Sequence, residues 1–209
     1  MVPLDRSLLA RPAPVVAPRL LNKLLVGEDG RTGRIIEVEA YDGEHDPASH
    51  AYRGRTARNA VMFGPAGHLY VYFSYGVHWC ANVVTGVDGS ASAVLLRALD
   101  PVAGLDLMRA ARWRNQKRQV DRDLCRGPGR LTQAMGIEGT ADGLDLCCPE
   151  SRWFLASDGT PPPRHPQSSG RIGISAAVER QWRWTVPEHP GVSLNPSRAG
   201  DRSRRGEVH

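Results

Sequence analysis

Two apolar, strand-like segments carry charges where apolar residues are expected. Glu37 and Glu39 lie in the segment from Ile35 to Tyr41, and Arg97 interrupts the run from Val94 to Leu99. An isolated buried charge is costly, so such residues either pair with one another or face a wet cleft. Paired, they are a structural Arg–Glu bridge. In a cleft, one carboxylate can position and deprotonate a water molecule while Arg97 holds both. Strand alternation puts Ile36, Val38 and Ala40 on one face and Glu37, Glu39 and Tyr41 on the other. It therefore does not choose between the two glutamates.

The aromatic residues are unevenly spread. All five tyrosines (Tyr41, Tyr52, Tyr70, Tyr72 and Tyr75) precede residue 76, and Phe63, Phe73 and Trp79 lie among or just beyond them. Tyr70 and Tyr72 share a strand face. Such a cluster is either a half-buried strand or a slot that stacks a planar ligand. Tyr75-Gly76 ends an aromatic strand at a turn, where a projecting ring could fill a gap in a base stack. His50 stands beside this segment as a candidate pocket donor. Arg53, Arg55 and Arg58 precede it, and a basic stretch from Arg109 to Arg122 follows. The helix start at Gly127-Pro128-Gly129-Arg130 could offer N–H groups and a positive dipole end to a phosphate.

Other chemistries are disfavoured. No His or Cys spacing matches a metal site, and phosphate-loop and dinucleotide-binding glycine motifs are both absent, so neither metal nor cofactor is expected. The cysteines (Cys80, Cys125, Cys147, Cys148) make no CxxC pair, which predicts buried thiols in a reducing compartment. The first residues lack the pattern of a signal peptide, and a cytoplasmic monomer is expected. The uncharged stretch from Asn59 to Val87 is long enough to span a bilayer. Its Gly, Pro, His and Asn punctuation fits buried strands separated by turns instead.

Elements must bring these residues together. The chain has 209 residues, 41% hydrophobic and 23% charged, with a net charge of +5 and a pI near 9.3. This predicts one α+β domain, its curved and mostly antiparallel β-sheet flanked by helices, with polyanionic partners. Residues 1–13 are expected to form a flexible arm, 14–189 the domain, and 190–209 a disordered basic tail. A helix is predicted over 14–22. A hairpin is expected over 23–27 and 33–41 around Asp29-Gly30, with a polar loop over 42–59. Strands are predicted over 68–74, 78–85 and 92–99. Pro101 is read as opening a helix to about residue 115, and Pro128 as opening a second one that stops before Gly136. A last strand or strand–helix segment is expected over 171–186.

Nine motifs in order carry a resemblance that covers about residues 15–186. They are Glu37 to Tyr41, Ala48-Ser49-His50, Arg58-Asn59, Met62-Phe63, Gly67 to Tyr72, Tyr75-Gly76, Cys80-Ala81-Asn82, Leu95 to Pro101, and Gly127 to Leu131. Together they resemble the 3-methyladenine (alkyladenine) DNA glycosylase family. The resemblance implies a monofunctional base-excision-repair enzyme that flips alkylated or deaminated purines out of double-stranded DNA and hydrolyses the N-glycosidic bond. It implies no metal and no cofactor, and work at the nucleoid. It matches Glu39 to the catalytic glutamate and Arg97 to an arginine that helps hold the water. Tyr41, His50 and Tyr72 match stacking walls, Asn82 a residue that screens purines, and Tyr75 the intercalating tyrosine. Arg53, Arg55, Arg58, Gly129 and Arg130 are the candidates for backbone contacts. The alternative from another class is a non-catalytic nucleic-acid-binding module that uses the same aromatic and basic surface.

Overall fold

The computed structural model describes residues 1–112 and 120–193. These residues form one curved, wholly antiparallel sheet with helices packed on it, the mixed α+β architecture expected. The strands are β1 (Val2–Pro3), β2 (Leu24–Gly27), β3 (Thr32–Tyr41), β4 (Leu69–Ser74), β5 (His78–Val84), β6 (Ala93–Ala103), β7 (Trp153–Ser157), β8 (Gln167–Ser169) and β9 (Arg183–Thr185). The main path runs β1-β7-β2-β3-β6-β5-β4, and β9 pairs with both β3 and β8. One edge of β3 is thus shared: its first residues pair with β2, and Glu37 to Glu39 pair with β9.

The helices are α1 (Arg6–Leu9), α2 (Ala13–Leu20), α3 (Leu105–Arg112) and α4 (Pro128–Met135). α2 packs on β3, α4 on β5 and β6, and α3 on α4. The main core lies between this layer and the sheet, filled by Leu20, Leu25, Ile35, Val38, Leu69, Val83, Leu96, Met108, Leu131 and Trp153. A smaller apolar cluster of Ala51, Met62, Tyr70, Val84, Ala91 and Ala93 gathers separately. α4 starts on Pro128 and stops on a left-handed Gly136, as its sequence predicts. The stretch from Asn59 to Val87 contains β4 and β5, and among the described residues no helix is long and apolar enough to cross a membrane.

The structure departs from the sequence reading in several places. Residues 1–13 are docked, not loose: Leu4, Leu9 and Ala13 are buried, and Val2 and Pro3 pair with β7. Burial of those apolar side chains drives the docking, and Pro3 suits an edge strand because no ladder bond is asked of its nitrogen. Pro101 does not open a helix; β6 runs through it to Ala103, and α3 begins at Leu105. Leu99 donates its N–H to Cys125, away from β3. Two residues on, Pro101 presents its nitrogen to that same side, beyond the last β5 pairing, so the missing donor costs no ladder bond. β7 was not anticipated, its five apolar or small residues being too few to show a period. Finally, only residues 183–185 of the expected 171–186 segment are strand. Of the thiols, Cys80 and Cys125 are buried as expected, whereas Cys147 and Cys148 are partly exposed. The helix extension to residue 115, the centre of the basic stretch and the tail from residue 194 lie outside the described residues.

Candidate active site

Strand register lines up the residues that alternation had only assigned to faces. Glu39 pairs with Leu95, Leu95 with Asn82, and Asn82 with Tyr70, a single transverse row across β3, β6, β5 and β4. At Glu37 the register slips, so that Glu37 opposes Ala98 and Val38 opposes Leu96. Arg97 is the extra residue of that bulge, an irregularity that re-aims a side chain. It lands between the two glutamates, with Nε 2.9 Å from Glu37 Oε1 and Nη1 3.2 Å from Glu39 Oε1.

The two carboxylates are equally buried but differently used. Glu37 accepts four hydrogen bonds, from Arg97 Nε, Arg183 Nε, and the N–H and hydroxyl of Ser193. Three of these reach Oε1 and one reaches Oε2. Burial alone would push its pKa up, but Arg97, Arg183 and Ser193 together hold it below the ordinary value. Glu39 accepts two, from the Tyr41 hydroxyl at 2.8 Å and the Ile172 N–H at 2.7 Å, besides its ion pair with Arg97. Its three polar partners all line one cavity, whereas Arg183 and Ser193, two of the partners of Glu37, do not. This is a structural reason to assign base chemistry to Glu39, where alternation offered none.

Tyr41, Arg97 and Ile172, the three groups that touch Glu39, all line a cavity of about 770 Å³. The carboxylate itself has no exposed surface and sits directly behind the wall they form. Among the residues singled out from sequence, this cavity also gathers His50, Arg58, Tyr72, Tyr75 and Asn82. His50 and Tyr72 meet edge-to-face at 4.4 Å, and Tyr70 and Tyr72 lie 5.5 Å apart. His50 Nδ1 lies 3.2 Å from the Tyr70 hydroxyl. Withdrawal of the imidazole from water, and then the Arg58 charge, hold the His50 pKa below its ordinary value, so the ring is neutral at pH 7. Burial pushes the Tyr70 phenol up to about 12, and burial followed by the Glu39 charge raises that of Tyr41 well above its ordinary value. Both are therefore neutral rings. Asn82, itself buried, donates its amide to Tyr70 O at 3.1 Å.

Tyr75 occupies the tip of the β4–β5 hairpin. A Val77 N–H to Ser74 O bond closes the turn, and Tyr75 and Gly76 both have positive φ, 50° and 67°. For a side chain other than glycine this backbone costs about 1–2 kcal/mol. The ring is 86% exposed, so no burial offsets that cost. Its hydroxyl reaches Gly173 O at 3.4 Å. A strained, exposed aromatic at a cavity mouth contributes nothing to the core, which points to a role in binding.

Not every basic candidate converges here. Arg58 packs over the Tyr72 ring at 5.7 Å and donates to Phe73 O. Arg53 and Arg55 are exposed on the 42–59 loop and do not line the cavity. Pro128 lines it, but Gly129 is pressed against His78, whose ring a Cβ would meet at 2.6 Å, and Arg130 faces outward. Residues 172–176, which close one side, were missed. So was the buried Asp46–Arg171 pair that anchors them, with Arg171 Nη2 2.8 Å from Asp46 Oδ1. Neither partner shows a period or motif, and the Ser- and Gly-rich surroundings of Arg171 carry no signal of burial. Among the described residues no three His, Cys, Asp or Glu side chains cluster as metal ligands would.

The chain matches a family model described as methylpurine-DNA glycosylase over residues 7–190. A Burkholderia lata protein provisionally named 3-methyladenine DNA glycosylase is 55% identical over 190 residues, covering 91% of this chain and 90% of its own length. A Streptomyces avermitilis protein of the same provisional name is 47% identical over 97% of this chain and 95% of its own. One from Nocardia farcinica is 46% identical, with coverage of 86% and 87%.

Proposed function

The chain belongs to the methylpurine-DNA glycosylase family, and on that premise we propose that it excises alkylated or deaminated purines from duplex DNA, using water activated by Glu39. Turning a nucleotide out of the duplex costs a few kcal/mol, least for a damaged and weakly paired base. Tyr75 fills the vacated position in the stack. The extruded base stacks on Tyr41, His50 and Tyr72, each such contact being worth about 1–3 kcal/mol. Asn82 stands at the cavity floor, where it crowds purines that carry an extra amino group.

A purine alkylated at N3 or N7 is already positively charged, so it leaves as a neutral base and needs little acid assistance. It also stacks well on electron-rich phenol rings, which favours the lesion over ordinary bases. The water attacks the sugar C1′ as the N-glycosidic bond breaks. Its proton passes to Glu39, whose charge also stabilises oxocarbenium character at the sugar. Arg97 holds the carboxylate in place. Among the described residues lining the cavity none is a lysine, so hydrolysis to an abasic site is the chemistry available, without a Schiff base. A single chain supplies the whole constellation, which supports action as a monomer; the unpaired thiols fit a reducing, cytoplasmic setting, and a DNA substrate would put its work at the nucleoid.

One observation carries this reading: a buried carboxylate whose three polar partners all line a tyrosine-walled cavity. The test is incubation with methylated duplex DNA and chromatography of released bases. Free methylated purine is the expected product. Retention of the DNA without any release would leave only the binding-module alternative standing.

The hairpin tip has its own test. Tyr75→Ala weakens binding to a duplex carrying an abasic-site analogue by about 5–100-fold, the loss of one stacking contact. Tyr75→Gly does the same but leaves the thermal midpoint unchanged or higher. Relief of about 1–2 kcal/mol of backbone strain outweighs the roughly 0.5–1 kcal/mol entropic cost of glycine. If the midpoint drops while DNA binding is untouched, Tyr75 is a structural residue and no wedge.

A further inference from the structure

Tyr41 is held by its hydroxyl and by one face of its ring. Its hydroxyl donates to Glu39 Oε2 at 2.8 Å. The Arg171 guanidinium packs over its ring at 4.7 Å. That guanidinium is immobile: it is buried, paired with Asp46, and donates to Ala40 O at 2.9 Å, the residue preceding Tyr41. One ring face is thus taken by a fixed cation, which leaves the other for a ligand. The next residue, Ile172, donates its N–H to the second oxygen of Glu39. The same short segment thereby fixes both the wall and the carboxylate. Burial and the Glu39 charge keep the phenol protonated, as a donor to a carboxylate must be.

We propose that Tyr41, besides forming a wall, is the positioning residue of the general base: its hydroxyl fixes the Glu39 carboxylate so that a purine stacked on the free ring face brings its sugar C1′ to the activated water. The proposal rests on the glycosylase reading above. No bond to Tyr41 forms or breaks; it orients one oxygen of Glu39 and leaves acceptor capacity for the water.

Tyr41→Phe keeps the ring and removes only the hydroxyl. In single-turnover release of methylpurine from methylated duplex, the expected result is a rate about 10–100-fold lower, the range for one hydrogen bond to a charged group. Binding to a duplex whose lesion nucleotide carries a cleavage-resistant 2′-fluoro sugar, so that the base is still present to stack, changes less than twofold. The acidic limb of the rate–pH profile moves to higher pH, because removing a donor from a carboxylate favours its protonated form. In a Glu39→Gln background the added Tyr41→Phe change has little further effect, as expected of two residues acting as a unit. Tyr41→Leu, which removes the wall too, loses binding and rate together. An unchanged rate and pH profile in Tyr41→Phe, with wild-type protein active, overturns the proposal while leaving the glycosylase reading intact. Equal losses of rate and binding in Tyr41→Phe reduce Tyr41 to a wall and also overturn it. No release by the wild type would instead remove the premise.

Discussion

Glu39→Gln lowers the rate of methylpurine release by about 10²–10⁴-fold, the usual worth of a general base. Duplex binding survives, because the substitution leaves the cavity walls and Tyr75 in place and removes a negative charge near a polyanion. The effect is specific to one of two neighbouring acids. Glu37 is enclosed by Arg97, Arg183 and Ser193, so Glu37→Gln acts first on stability and leaves release within about tenfold of wild type, well short of what a general base supplies. Single-turnover rates and melting curves on both variants decide the matter. If Glu37→Gln abolishes release while Glu39→Gln leaves it unchanged, the roles are reversed.

The second large effect concerns Arg97, which is almost fully buried and shared by both carboxylates. Arg97→Met removes the partner of two enclosed acids. Breaking a buried pair from one side typically costs about 3–5 kcal/mol, or roughly 6–20 °C in thermal midpoint for a domain of this size. The pH dependence has a definite sign. In the wild type the Glu37 pKa is depressed, so its contribution is fully present above the ordinary value of 4.5 and is lost as pH falls through the lowered one. In the variant that depression shrinks, so the stability gap between the two proteins is widest near neutrality and narrows on acidification below that value. A gap independent of pH would mean that Arg97 stabilises by packing alone. Arg97→Lys separates charge from shape: the ammonium keeps the charge but lacks the fork that serves two carboxylates at once.

The buried charges around the cavity form a balanced set. Glu37, Glu39 and Asp46 are matched by Arg97, Arg171 and Arg183, all enclosed. Such an arrangement is tolerable only when each member is paired and hydrogen-bonded.

Much of this was legible in the sequence because it is local. Asp29-Gly30 marked a hairpin, and Pro128 and Gly136 bounded a helix, since turn and cap chemistry is written in adjacent residues. Alternation put Glu37, Glu39 and Tyr41 on one face, and Tyr70 and Tyr72 on another, since a strand has period two. The choice of Glu39 came from family resemblance; the position of its partners on the cavity wall is an independent argument for it. Pro101 misled because a proline reads as a helix start unless one knows which strand edge lacks a partner.

Residue order by itself determined the hairpin, the α4 helix, the faces of the strands and the kinds of chemistry on offer. Only the tertiary structure decided that Glu39, Leu95, Asn82 and Tyr70 stand in one row, and that a bulge drops Arg97 between two acids. It alone brought Arg171, Ile172, Arg183 and Ser193 back to close the site from more than a hundred residues away. The reason is physical: strand order and register follow from which faces can be buried together, and a one-residue slip would turn every one of these side chains to the opposite face.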